Sequence, residues 1–177
     1  MATLPIAEGL IPPEEYLSRC YEPDCEYVDG LIVERAVGEF EHSFVQALLA
    51  TLFNSNTESW GVYALTEQRI RLSPHCYRIP DVCVLRRGAL REPILIHPPL
   101  LAVEILSPGD SLSRILKKCA EYHQFGIAHL WVIDPAERSL FHFTESGLTI
   151  QLDGVLSVSG TPISIDIQEI FARMDRL

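Results

Sequence analysis

Two acidic residues stand where a free carboxylate is costly. Asp81 follows Pro80 and leads into Val82-Cys83-Val84-Leu85, and Glu104 interrupts the apolar run Leu100-Leu101-Ala102-Val103 and Ile105-Leu106. A carboxylate in such a strand stays charged only when it is paired, hydrogen-bonded or bound to a metal. Two of them on neighbouring strands suit a hard divalent cation with oxygen ligands, Mg²⁺ or Mn²⁺. A cation held there polarises a phosphodiester and lowers the pKa of water. The same residues read equally as a strand-end carboxylate and a buried salt bridge, and spacing alone does not separate the two readings.

The chain has only two lysines, the neighbours Lys117 and Lys118. At about 100° per residue, Leu112, Ile115, Leu116, Cys119 and Tyr122 form one helical stripe facing the core. Lys118 lies at the edge of that stripe, on the ridge of Ile115 and Tyr122, while Lys117 points toward solvent. If one lysine reaches back to the strand ends, it is Lys118. A lone helical lysine is otherwise a solvated surface charge, and it is the two acids that single this one out.

These groups need elements to hold them. Pro12-Pro13-Glu14-Glu15 before Tyr16-Leu17 predicts a short helix start, and Asp29-Gly30 marks a hairpin turn within residues 26–35. Phe44, Val45, Leu48, Leu49, Leu52 and Phe53 share one side of a helix over 41–56. Strands follow at 62–72 and 77–85, parted at Ser73-Pro74-His75. Residues 100–106 read as a central strand buried on both faces. A helix over 111–125 stops at Gly126, with Asp110 as its N-cap. A strand over 129–133 closes at the turn residue Asp134. A hairpin at 140–152 and a helix at 167–174 complete the chain. The order predicts an α/β fold, a mixed sheet flanked by helices, built as one domain over residues 1–177.

Composition narrows the setting. No apolar run reaches membrane-spanning length, and residues 1–13 lack a secretory signal, which places the chain in the cytoplasm. Five scattered cysteines with no CxxC pair exclude a zinc ribbon and suggest buried, reduced thiols at Cys83 and Cys119. A formal net charge of −10 argues against a broad basic face for nucleic acid. No serine or cysteine nucleophile has a partner, and no glycine-rich phosphate loop is present.

Four blocks in order carry a resemblance: Tyr77-Arg78-Ile79-Pro80-Asp81-Val82, Val103-Glu104-Ile105-Leu106-Ser107-Pro108, Lys118-Cys119-Ala120-Glu121-Tyr122 and Trp131-Val132-Ile133-Asp134-Pro135. With Glu26-Tyr27-Val28-Asp29-Gly30 and His42, they resemble the Uma-two family of restriction endonucleases, in the PD-(D/E)xK superfamily, over residues 12–171. The resemblance implies a restriction-endonuclease-like fold and a metal bound by Asp81, Glu104 and the Ile105 backbone carbonyl. The superfamily's usual lysine, two residues after the acid, is Leu106 here. The resemblance moves that lysine to the following helix and again selects Lys118, to orient water or stabilise phosphate charge. Where some relatives carry an acid four residues before this lysine, Arg114 stands instead. His42 and Glu41 open the helix where the superfamily often places an extra polar group. His42 is read as a site residue or a capping histidine, Glu67 as a metal support or an exposed strand carboxylate, and Tyr122 as a site hydrogen bond or core packing.

The implied activity is metal-dependent hydrolysis of DNA phosphodiesters, with a homodimer paired through the strand-rich C-terminal part. Two alternatives stay open. One is a catalytically silent nuclease fold serving as a nucleic-acid-binding or assembly module, favoured by low basicity and the displaced lysine. The other is an enzyme for a small phosphorylated molecule, which predicts a closed pocket.

Overall fold

The computed structural model describes residues 10–36 and 38–177. Most of the stretch read for a secretory signal, residues 1–9, lies outside the described residues. The described chain runs α1 (Pro13–Ser18), β1 (Cys25–Val28), β2 (Leu31–Glu34), α2 (Phe40–Ser55), α3 (Thr57–Trp60), β3 (Val62–Thr66), β4 (Ile70–Ser73), β5 (Cys76–Arg78), β6 (Val82–Arg86) and β7 (Leu101–Ile105). It continues through α4 (Leu112–Phe125), β8 (His129–Asp134), β9 (Ser139–Thr144), β10 (Gly147–Ile150), β11 (Val155–Ser157), β12 (Ser164–Asp166) and α5 (Ile167–Met174).

A six-stranded sheet, ordered β10-β9-β8-β7-β6-β3, forms the centre. Its pairs are antiparallel except β7 with β8, which run parallel with Glu104 opposite Val132. A parallel pair needs a crossover, and α4 supplies it. The fold is thus mixed α/β, with a mixed central sheet flanked by helices.

Strand alternation sorts the two faces. Val82, Val84, Leu101, Val103 and Ile105 pack with Val45, Leu49 and Phe53 of α2 and with Ile170 and Phe171 of α5. Cys83, Leu85, Ala102, Leu130 and Val132 pack with Ile115, Cys119 and Tyr122 of α4 on the other face. Glu104 alternates with Val103 and Ile105, so it points at α4. That parity brings it beneath Lys118.

A second sheet, β2-β1-β5-β4, packs on α1 through Tyr16, Tyr27 and Tyr77. The predicted strands 62–72 and 77–85 therefore each divide between sheets. Residues 62–66 join the large sheet and 70–73 the small one, with Glu67 between them at φ +53. Likewise β5 belongs to the small sheet and β6 to the large one, with Ile79-Pro80-Asp81 spanning the gap. Proline lacks an N–H for the ladder, which favours a break there.

Smaller readings also shift. Leu112, predicted to face the core, is 65% exposed because it starts α4 before the helix meets the sheet. The N-cap is Ser111, whose side chain accepts from the Arg114 amide. The hairpin β11–β12 and the single-turn α3 carry no period long enough to read. Cys83 and Cys119 are buried free thiols, and Asp134 caps its turn through the amides of Ala136 and Glu137. Among the described residues, no helix is long and apolar enough to cross a membrane.

Candidate active site

The cleft lies where the two sheets meet, at the β5–β6 gap, the end of β7 and the flank of α4. Asp81, Glu104, Ile105, His42 and Lys118 all line it. Asp81 is fixed from three directions. The Ile105 amide donates to Oδ2 at 2.7 Å, His42 Nε2 lies 3.3 Å from the same oxygen, and an Arg35 guanidinium nitrogen lies 2.8 Å from Oδ1. The Asp81 carbonyl accepts from Gln46 of α2 at 2.9 Å, which ties that helix to the strand end.

Glu104 takes two donors from α4. Lys118 Nζ lies 2.8 Å from Oε2 and the Tyr122 hydroxyl donates to Oε1 at 2.8 Å. Lys118 and Tyr122 are one helical turn apart, so the two donors approach Glu104 from adjacent rungs. Lys117, on the exposed side of the helix, lies 4.0 Å from Glu121.

Behind this pair stands a network with little sequence signal. Lys118 Nζ is also 2.8 Å from Glu26 Oε1, and Glu26 accepts from the Ile79 amide at 2.9 Å. Arg78 lies 2.7 Å from Glu26 Oε2 and donates through Nε to Glu121 at 2.7 Å. All of β1 is buried, so nothing in its pattern marks Glu26 as a site residue. Its appearance in the block Glu26-Tyr27-Val28-Asp29-Gly30 was the only hint.

Burial shapes the charges. It pushes the Glu104 carboxyl up to about 7, with Asp81 and Glu26 adding to the rise and Lys118 opposing it. Burial alone would lower Lys118, but Glu104, Glu26 and Asp81 outweigh that and hold the ammonium charged. Asp81 and Glu26 are also desolvated, yet both sit below the usual carboxylate range. The His42 hydrogen bond and Lys118 lower Asp81, while Lys118 and Arg78 lower Glu26. Burial and Glu104 raise the Tyr122 phenol, so it remains a donor.

Of the weaker sequence candidates, His42 and Tyr122 touch the two acids directly. Glu67 lies just past β3 in a left-handed turn, outside the strand, and its carboxylate approaches Arg35 at 3.3 Å. Asp110 lines the cleft without capping α4. It accepts from the Ser107 amide at 2.9 Å and from Arg114 at 3.0 Å. Arg35, whose position carries no signal in the sequence, meets Asp81 from 46 positions away.

The donor set is chemically suited to a hard cation. Among the described residues, no group of three or more His, Cys, Asp or Glu side chains is gathered for a metal. Mg²⁺ does not require one, since it is commonly held by one or two carboxylates and keeps several waters. Asp81 and Glu104 could provide those carboxylates, and Ile105, next to Glu104, lines the same cleft.

No curated protein matches the chain. A crystal structure of "a putative nuclease belonging to DUF820" from Anabaena variabilis shares 22% identity, covers 92% of this chain and 98% of its own, and superposes with a TM-score of 0.79. That likeness establishes a common fold. The family described as "Uma2: Putative restriction endonuclease" matches residues 13–168, nearly the whole chain. This chain belongs to the Uma2 family.

Proposed function

We propose that the chain is a Mg²⁺- or Mn²⁺-dependent endonuclease that hydrolyses phosphodiester bonds of DNA. The observation that carries this reading is convergence. Asp81, Glu104 and Lys118 come from a sheet junction, a central strand and a crossover helix, and meet in one buried cleft. Burying three ionisable groups is costly, and a packed core gains nothing from it.

Asp81, Glu104 and the Ile105 carbonyl would hold the ion, which supplies Lewis acidity toward the phosphate and a lower pKa for water. Tyr122 fixes the orientation of Glu104, and Ile105 and His42 fix that of Asp81. Lys118 places a permanent positive charge beside Glu104, where it orients the entering water or stabilises charge on phosphorus-bound oxygen. Water adds to phosphorus as the ester bond opposite it breaks, and the leaving oxygen takes up a proton.

We further read residues 1–177 as one cytoplasmic domain, its buried free thiols fitting a reducing compartment. The edge strand β10 offers a second copy a place to pair.

One observation favours the silent-module reading: protein cations already neutralise both carboxylates, Arg35 on Asp81 and Lys118 on Glu104. Calorimetry with Mn²⁺ and Mg²⁺ on the wild type, Asp81→Ala and Glu104→Ala, followed by plasmid cleavage, separates the two. The endonuclease reading expects metal binding in the wild type that both substitutions abolish, together with cleavage. Folded wild type that binds no metal at millimolar concentration would leave the module.

A further inference from the structure

Arg35 lies just past β2, and its side chain is only 14% exposed. Its guanidinium spans two carboxylates, with one nitrogen 2.8 Å from Asp81 Oδ1 and the other 3.3 Å from Glu67 Oε1. The second Asp81 oxygen accepts from the Ile105 amide and faces His42. The Ile105 donor is main chain at the end of a central strand and cannot leave without breaking the sheet. Arg35 is different. It sits on a long side chain, and the neighbouring Glu67 is 55% exposed. Ile105 and His42 share the other oxygen, so at Oδ1 the guanidinium is the group placed to exchange.

We propose that Arg35 is a stand-in cation that a divalent metal displaces from Asp81, and that the released guanidinium then binds a non-bridging oxygen of the scissile phosphate. This role rests on the endonuclease reading of the same cleft. A buried carboxylate needs a positive partner both before and after the metal arrives, and Arg35 supplies it beforehand. The planar fork that now spans Asp81 and Glu67 also matches two phosphate oxygens. Lys118 is not placed to exchange in this way, because Glu26 and Glu104 each hold it at 2.8 Å. In a chain of net charge −10, a cation released only in the metal-loaded state ties nucleic-acid binding to metal binding. Metal and substrate then each raise affinity for the other by the same factor.

The test measures Mn²⁺ affinity by calorimetry for the wild type, Arg35→Gln and Arg35→Lys. It then measures binding of a short labelled DNA duplex, by fluorescence anisotropy, in EDTA and in Ca²⁺. Arg35→Gln is expected to bind Mn²⁺ about 10-fold more tightly than the wild type, within the usual span of coupled sites. Arg35→Lys keeps the charge but loses the fork, and is expected between the two, which separates direct exchange from a general change of charge. Ca²⁺ is expected to raise the DNA affinity of the wild type, and Arg35→Gln to lose most of that rise while matching the wild type in EDTA. Arg35→Gln binding Mn²⁺ no more tightly than a metal-binding wild type overturns the role of Arg35 and leaves the endonuclease reading standing. Equal loss of DNA affinity in EDTA and in Ca²⁺ does the same. Absence of Mn²⁺ binding in all three proteins overturns the endonuclease reading itself.

Discussion

Glu26 and Gly38 bear on Lys118 and His42, side chains that face the two acids. Glu26 is one of two carboxylates holding Lys118, and it also neutralises Arg78. Glu26→Gln leaves Arg78 and Lys118 each short of a buried anion. Breaking one side of such a network costs about 3 kcal/mol, so urea unfolding should show a loss of that order. Cleavage should fall further than occupancy of the fold explains, because Lys118 is then free to drift from Glu104. Gly38 acts on His42. A Cβ at position 38 would stand 2.7 Å from His42 Nδ1, too close for the ring to stay in place. Gly38→Ala should therefore turn His42 away from Asp81. The expected result is reduced activity with a stability loss of about 1 kcal/mol, read by cleavage assay and denaturation. At this scale the sequence announces only part of the site. Asp81 and Glu104 stand out because each interrupts an apolar run. Arg35 and Glu26 do not, since their partners lie in remote elements and a strand buried along its whole length hides one carboxylate among its neighbours.

At the scale of elements, α4 positions the chemistry and its ends set its register. The helix stops at Gly126, whose φ of +104 lies in the region that a side chain resists. Gly126→Ala should cost about 1 kcal/mol. Thermal unfolding checks that figure, and Lys118 and Tyr122 should keep their partners in the folded fraction. This helix was legible because its apolar stripe repeats over several turns. Its geometry alone separated Lys118 from Lys117, and the buried pair with Glu104 agrees. The strands were harder. Burial runs unbroken through 77–85, yet the chain changes sheets within it. Pro80 was the visible clue, and it was read as part of a strand. Which sheet each half joins depends on β1 and β7, which no local pattern couples.

Across the whole molecule, the charge balance bears on the proposed binding of nucleic acid. Among the described residues, Arg35, Arg114 and Lys118 line the cleft. If these make the phosphate contacts, the logarithm of DNA affinity should fall with the logarithm of salt at a slope of about −3. A titration in potassium chloride measures it. The thiols give an independent check on the fold. Cys20 is exposed, whereas burial pushes Cys83 and Cys119 up to about 12. At pH 8 a thiolate-selective reagent should label Cys20 in the native protein and reach the other two only on unfolding. Thiols with raised folded pKa values stabilise the fold while they stay protonated. Their contribution is complete below the ordinary thiol value of 9.0 and is lost as pH rises toward 12, so urea midpoints should decline across that alkaline window.

The three residues Ile79-Pro80-Asp81 join a strand of one sheet to a strand of the other. Asp81 and the Ile79 contacts of Glu26 and Lys118 all depend on that short joint. Either sheet could keep its own ladder while the joint opens. The protein then has a weaker link than its fold, a partial opening that disperses the cleft's side chains while most amides remain protected. In rising urea, activity should vanish before the far-ultraviolet ellipticity moves. Amide exchange at Ile79 and Asp81 should outrun exchange in the strands on either side. The chain would then lose its chemistry while it still looks folded.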